Sequence, residues 1–301
     1  MQASGPVAMK TSPLRNHLLL IAAAILFSTG GAAIKAATLT GWQVACFRSG
    51  VAAVVLLAAL PGARRGWSWQ LVPVAATYAA TLICFVLANR LTTSANAIFL
   101  QSTAPLYTLL LGPLLLKERI HREGLFYMLV VAAGLLLFFS AGQPVLATAP
   151  DPPRGNVLAL GSGLAFALLL AGLRWLGRRP GPDVGLAAVA MGNALACLVT
   201  LPIALPARSM TLADVAVILF LGVFQIGLAY VCVTRAMRHV TAFEANTVLL
   251  LEPALNPVWA WLIQGERPPA MALCGGAIIL SATLAHTWLQ RRGPGAVSLP
   301  E

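Results

Sequence analysis

Residues 105–119 read PLYTLLLGPLLLKER, and residues 253–267 read PALNPVWAWLIQGER. The two stretches superimpose at a shift of 148 residues, and the match extends on both sides. Thr93 meets Thr241, Ala97 meets Ala245, Pro105 meets Pro253 and Leu114 meets Leu262, while Glu118–Arg119 meets Glu266–Arg267. Apolar sequence repeats Ala and Leu by chance. It seldom repeats a Thr, a Pro twelve residues on, and a Glu-Arg pair thirteen beyond that. A looser shift of 139 sets Phe27 on Phe166 and Lys35 on Arg174. Such self-similarity marks a duplicated structural unit.

The medium of this duplicated unit follows from composition. The 301 residues are 59% hydrophobic and only 10% charged, against about 25% charged in an ordinary globular chain. So few charges cannot cover a soluble fold of this size, and so apolar a chain is not disordered. A polytopic membrane protein remains. The net charge of +11 could suggest nucleic acid, but the basic residues sit in short loops between apolar runs, so no nucleic-acid partner is expected. The five cysteines fall in five different apolar segments without metal-ligand spacing and read as small packing residues.

A spanning helix needs about 20 mostly apolar residues. Ten such runs occur, at 17–37, 41–60, 71–89, 94–116, 124–141, 155–176, 184–205, 212–234, 241–263 and 269–289. Continuous rather than alternating apolarity predicts helices, not a barrel, so the fold class is all-α. The first run resembles a signal peptide but is long for one and belongs to the repeat, so it reads as an uncleaved helix. With the N-terminus in the cytoplasm, fourteen Lys and Arg lie on that side and five on the other, which fixes the orientation by the positive-inside rule. Both termini are then cytoplasmic. The proline-rich stretch 142–154 connects a first repeat, 17–141, to a second, 155–289. Five helices per half is an odd number, so the second half enters the bilayer from the opposite side. Inverted repeats are the architecture from which alternating access follows.

At the Pro and Glu-Arg positions of its fourth and ninth helices the chain resembles the drug/metabolite transporter superfamily, in its ten-helix EamA-type form. Within it, the chain is most similar to the YddG-type exporters of aromatic amino acids. The resemblance implies a bacterial inner-membrane carrier. It implies a substrate path bounded by the third, fourth, eighth and ninth helices, with others such as the first and sixth. It also implies a fifth and tenth helix at the periphery or at a homodimer contact.

Intramembrane polar groups are costly and tend to face a cavity or a partner. Tyr78, Thr81 and Phe85 stand at i, i+3 and i+7 of the third helix, one stripe that could stack on and hydrogen-bond a planar ligand or pack on a neighbour. Asn96 and Gln101 precede Pro105, whose missing N–H frees a carbonyl near residue 101. Gln225 and Tyr230 lie in the eighth helix, and Glu252 and Asn256 flank Pro253 in the ninth. Glu252 reads as a proton-coupling group, as a contact for a substrate ammonium, or as a structural acid. Glu118, Arg119, Glu266 and Arg267 close the fourth and ninth helices as caps and local pairs, or as gate contacts. Arg48 and Lys35 read as boundary or pairing residues, Arg48 by snorkelling, or as part of an anionic substrate path. Gly30–Gly31 and Gly161–Ser162–Gly163 permit close helix approach or hinging. Trp67 and Trp69 suit the interfacial aromatic belt.

The sequence carries neither HExxH, GxSxG nor a phosphate-binding loop, which argues against an enzyme and against ATP-driven pumping. No cofactor is expected. The expected function is export of amino acids, aromatic and other neutral ones, by alternating access. The alternatives are a carrier of another small metabolite or quaternary amine, and an intramembrane enzyme.

Overall fold

The computed structural model describes residues 13–111, 122–140, 145–177, 184–207, 210–236 and 248–292. Glu118, Arg119 and Thr241 lie outside them. The protein is an all-α polytopic membrane protein. Among the described residues, ten helical segments follow one another: α1 (Pro13–Ser28, continuing as Gly30–Ala36), α2 (Gly41–Ala59), α3 (Leu71–Leu91), α4 (Ser94–Gln101 and Ala104–Leu111) and α5 (Arg122–Ser140). The second set is α6 (Pro152–Gly177), α7 (Gly185–Ala204), α8 (Leu212–Leu219, Phe220–Leu228 and Ala229–Ala236), α9 (Leu251–Gln264) and α10 (Ala270–Arg292). Six of these passes are long and apolar enough to cross a bilayer by length and composition, and the apolar stretches Gly124–Leu137 and Ala270–His286 are shorter.

The helix ends follow local chemistry. Thr40 and Gln43 form a reciprocal capping box at the start of α2, satisfying donors the helix cannot. Thr93 caps α4 by accepting the Asn96 N–H at 3.2 Å. α6 begins at Pro152, ahead of the expected 155, because proline is tolerated in a first turn. Gly265 takes a φ of +68° just past α9, and the Glu266 N–H returns to the Ala260 carbonyl, a glycine-dependent C-terminal turn.

Three passes are interrupted. In α1 the Ser28 and Thr29 hydroxyls bond back to the Ile25 and Leu26 carbonyls at 2.7 and 2.6 Å, which loosens the helix just before Gly30–Gly31. α4 breaks at Ser102–Thr103, ahead of Pro105. At the shift of 148, the turn at Leu250 ahead of Pro253 is the same break in the second repeat. The middle of α8, Phe220–Leu228, is π-helical.

The repeats are not separate bodies. α3 packs on α6 and α7, α2 on α7, α1 on α8 and α9, and α5 on α10. Small residues set these approaches. A methyl at Gly163 would meet the Gln101 carbonyl at 3.1 Å, and one at Gly192 would meet Tyr78 Cδ1 at 2.7 Å. Close contact between backbones substitutes for the hydrophobic drive that lipid does not supply.

Candidate functional site: a central cavity between the repeats

A cavity of about 430 Å³ lies where the interrupted helices meet. The α3 stripe faces it: Tyr78, Thr81 and Phe85 all border the space and are nearly buried. Gly192 gives the Tyr78 ring its seat. From α4 come Gln101 and Pro105, from α9 Glu252 and Pro253, and from α8 Gln225 and Tyr230. At the shift of 148, Gln101 pairs with Leu249, Ala104 with Glu252 and Pro105 with Pro253; all six border the cavity. The two helix breaks thus present equivalent faces to one space.

Gln225 and Tyr230 reach the same cavity for a reason a plain α-helix does not supply. Five residues along an α-helix turn the direction by roughly 140° from the start. The π-helical stretch Phe220–Leu228 closes i→i+5 bonds and turns less per residue, which reduces that divergence. The Tyr78 hydroxyl donates to the Tyr230 hydroxyl at 2.9 Å, and Tyr230 stands edge-on to both Tyr78 and Phe27. Gln101 Nε2 donates to Ser162 Oγ at 2.8 Å, and Ser162 donates to the Thr81 carbonyl at 3.0 Å. This chain ties α4, α6 and α3 together at the cavity's edge.

Two of the candidate residues sit elsewhere. Asn96 is buried at the turn between α3 and α4, donating to Thr92 Oγ1 at 3.0 Å beside Asn156. Asn256 is fully buried against α1, where a methyl at Gly31 would meet its Oδ1 at 2.8 Å. The Gly30–Gly31 pair therefore seats Gln225 and Asn256, a packing role. α9 is further bound to α1 by Trp259 Nε1 donating to Ser28 Oγ at 2.8 Å and Gln264 Nε2 to the Ala32 carbonyl at 2.7 Å.

The reading of Glu266 and Arg267 as a local pair does not match the geometry. Arg267 is exposed, whereas Glu266 is turned inward by the Gly265 bend and ion-pairs with Lys35. Lys35 also donates to the Thr92 carbonyl at 2.8 Å and the Thr148 carbonyl at 2.5 Å, and Glu266 Oε2 accepts the Ser94 N–H at 2.9 Å. One buried knot thus joins α1, the start of α4, the central connector and the end of α9. The cavity occupies the middle of the bundle and extends away from this knot, towards Leu170 and Val233.

Arg48 does not snorkel; it is 1% exposed and faces the cavity from α2, which leaves its reading as part of an anionic path standing. Sequence reasoning missed Phe27 and Phe166, which also border the cavity. Their correspondence at the shift of 139 was the available signal, since symmetry-related residues tend to share a symmetric site. A second space of about 460 Å³, mostly apolar, lies between α5 and α10 around Tyr127 and His286, away from these polar groups.

A family model described as the EamA-like transporter family matches residues 14–140 and again 153–287. The chain belongs to the EamA-like transporter family. Among relatives, it is 28% identical over 283 residues to the pseudopaline exporter CntI of Pseudomonas aeruginosa, covering 89% of this chain and 94% of that one. It is also 28% identical over 186 residues to the threonine/homoserine exporter RhtA of Escherichia coli K12, covering 60% and 61%. A solved crystal structure matches with a TM-score of 0.60 at 18% identity, covering 93% of this chain and 99% of the other; this likeness bears on the fold alone.

Proposed function

We propose that this EamA-family transporter exports amino acids, aromatic and other neutral ones, across a bacterial inner membrane by alternating access, with both termini cytoplasmic. The observation that carries the reading is the central cavity bordered by matched helix breaks and sealed at one end by the Lys35–Glu266 knot. By the distribution of basic residues the sealed end is the outer one. The aromatic walls, Phe27, Tyr78, Phe85, Phe166 and Tyr230, suit a planar side chain. Gln101 and Gln225 offer amide donors and acceptors. The names of two relatives, exporters of pseudopaline and of threonine and homoserine, support export, and the second supports an amino-acid cargo.

Helices of one repeat pack on helices of the other, so the units that tilt are mixed bundles rather than whole repeats. The broken passes α1, α4 and α8 and the turn before α9 supply the bends. Substrate would enter from the cytoplasmic side, and release outward would require the knot to part.

A second reading rests on Glu252. A carboxyl beside aromatic faces is also a seat for a quaternary amine. Reconstituted liposomes separate the two: uptake of labelled Phe, Trp, Thr and a quaternary amine is measured at two pH values. Saturable Phe or Trp uptake supports amino-acid export. Uptake of the amine alone moves the assignment to the second reading. Glu252→Gln tests proton coupling in the same vesicles; transport that keeps its full pH response in this variant rules Glu252 out as the coupling group.

A further inference from the structure

We infer that Arg48 is the carboxylate anchor of the central cavity, so that the bound solute is held by its acid group at α2 while its cationic group faces Glu252 on α9. The inference rests on the reading of the cavity as the substrate site.

Arg48 sits in the middle of α2 and is 1% exposed, yet it borders the cavity. Its polar atoms are poorly satisfied. Nε is buried with no hydrogen-bond partner, and among the described residues the guanidinium's one hydrogen bond is a long 3.5 Å approach to the Leu82 carbonyl. Among the described residues no carboxylate lies within ion-pair distance of it: Glu266 is held by Lys35, Asp151 pairs with Arg154, and Asp214 is held by Thr38 and Thr211. A buried charge is normally paired, because leaving one uncompensated costs several kcal/mol. A guanidinium left open to a cavity is therefore a site built for an anion that arrives from outside.

The chemistry of that anion follows from the donor. The planar fork of Arg donates two parallel N–H bonds, the match of a carboxylate. Glu252 borders the same space from α9. The bonded hydroxyls of Tyr78 and Tyr230 border this space together with Arg48 and Glu252, so one cavity carries a basic and an acidic wall. A ligand with an acid group and an amino group on one carbon complements both walls at once, and the aromatic faces take its side chain. A plain amine lacks the first contact and a plain acid the second.

The test uses the purified full-length chain and isothermal titration with phenylalanine, phenylalaninamide, 2-phenylethylamine and 3-phenylpropionate. The expected result is that the wild-type chain binds phenylalanine at least tenfold more tightly than the amide or the amine. Arg48→Gln erases that preference, Arg48→Lys keeps part of it, and Glu252→Gln narrows the preference for phenylalanine over 3-phenylpropionate while leaving the amide discriminated. The wild-type series decides even where a variant fails to fold. Equal affinity of wild type for phenylalanine and its amide overturns the inference, as does an unchanged preference in folded Arg48→Gln. Binding of none of the four also overturns it, whereas saturable transport of some other solute would then leave the carrier reading standing. Binding with the expected preferences but no transport would have the opposite meaning.

Discussion

In the proposed orientation, Glu266→Gln should unlatch the outer end. The substitution keeps an oxygen that can accept from Lys35 but removes the charge, and it sets an amide nitrogen against the Ser94 N–H that Oε2 now accepts. Lys35 keeps the Thr92 and Thr148 carbonyls. The side chains of Lys35 and Glu266 are 3% and 1% exposed, so the ammonium cannot turn to water while the end is closed. Breaking one partner of such a buried pair costs about 3–5 kcal/mol. The retained acceptors place this case at the lower end. An outward-open state wets both groups and escapes the cost, so the closed-to-open ratio should fall by about 3 kcal/mol, roughly a hundredfold. The assay places a cysteine at Ile98, which is 3% exposed and borders the cavity, in a chain whose five native cysteines are replaced. Labelling by a membrane-impermeant maleimide from the outer face should accelerate by tens of times or more in Glu266→Gln. The charge swap Lys35→Glu with Glu266→Lys should recover much of the slow rate. A labelling rate within twofold of the parent, in folded Glu266→Gln, would refute the view that this knot holds the outer end shut.

Gly161 and Gly163 should behave oppositely on replacement by Ala: a methyl at 161 meets no atom within 4 Å, whereas one at 163 meets backbone oxygens at 3.1 and 3.2 Å. Gly161→Ala is expected to leave the melting temperature unchanged or slightly raised, and Gly163→Ala to lower stability by about 1–3 kcal/mol, read by thermal unfolding in detergent. Gly192→Ala presses on Tyr78 Cδ1 at 2.7 Å and the Ala75 carbonyl at 3.0 Å, so it should weaken ligand binding as well as lower the melting temperature. Gly265→Ala has open space around it but a φ of +68°, so its cost should be conformational, about 1–2 kcal/mol, and should appear in the same maleimide assay because that bend aims Glu266. Tyr230→Phe removes the hydroxyl pair at 2.9 Å and should destabilise by about 1 kcal/mol, checked by denaturant unfolding.

Much of this molecule is legible in the chain. Apolar run length is a direct consequence of bilayer thickness, and the Pro and Glu-Arg spacing exposes the duplication without any coordinates. The α3 stripe is legible too, since Tyr78, Thr81 and Phe85 share a face in any helix. The rest depends on partners distant in sequence. Asn96, Asn256 and Gln101 look alike as amides in apolar runs, but only Gln101 borders the cavity; the others are buried at helix contacts. Whether Arg48 snorkels or joins an anionic path is not legible until α2 is packed against α3, α7 and α8. Glu266 finds Lys35 across 231 positions rather than its neighbour Arg267. The π-helical stretch of α8 has no local composition that distinguishes it from the α-helix around it.

The pairing of α5 with α10 bears on how the protein is made. Tyr127 stacks on His286 with centroids 4.5 Å apart, its hydroxyl lies 3.3 Å from Thr283 Oγ1, and Gly134 fits under Ile279. α5 leaves the ribosome well before α10 exists. At ordinary elongation rates the interval from Ser140 to Ala270 lasts on the order of ten seconds. Through that time the face of α5 that α10 will cover must be occupied by lipid or by the insertion machinery, and a helix made much later is the one that completes the first half.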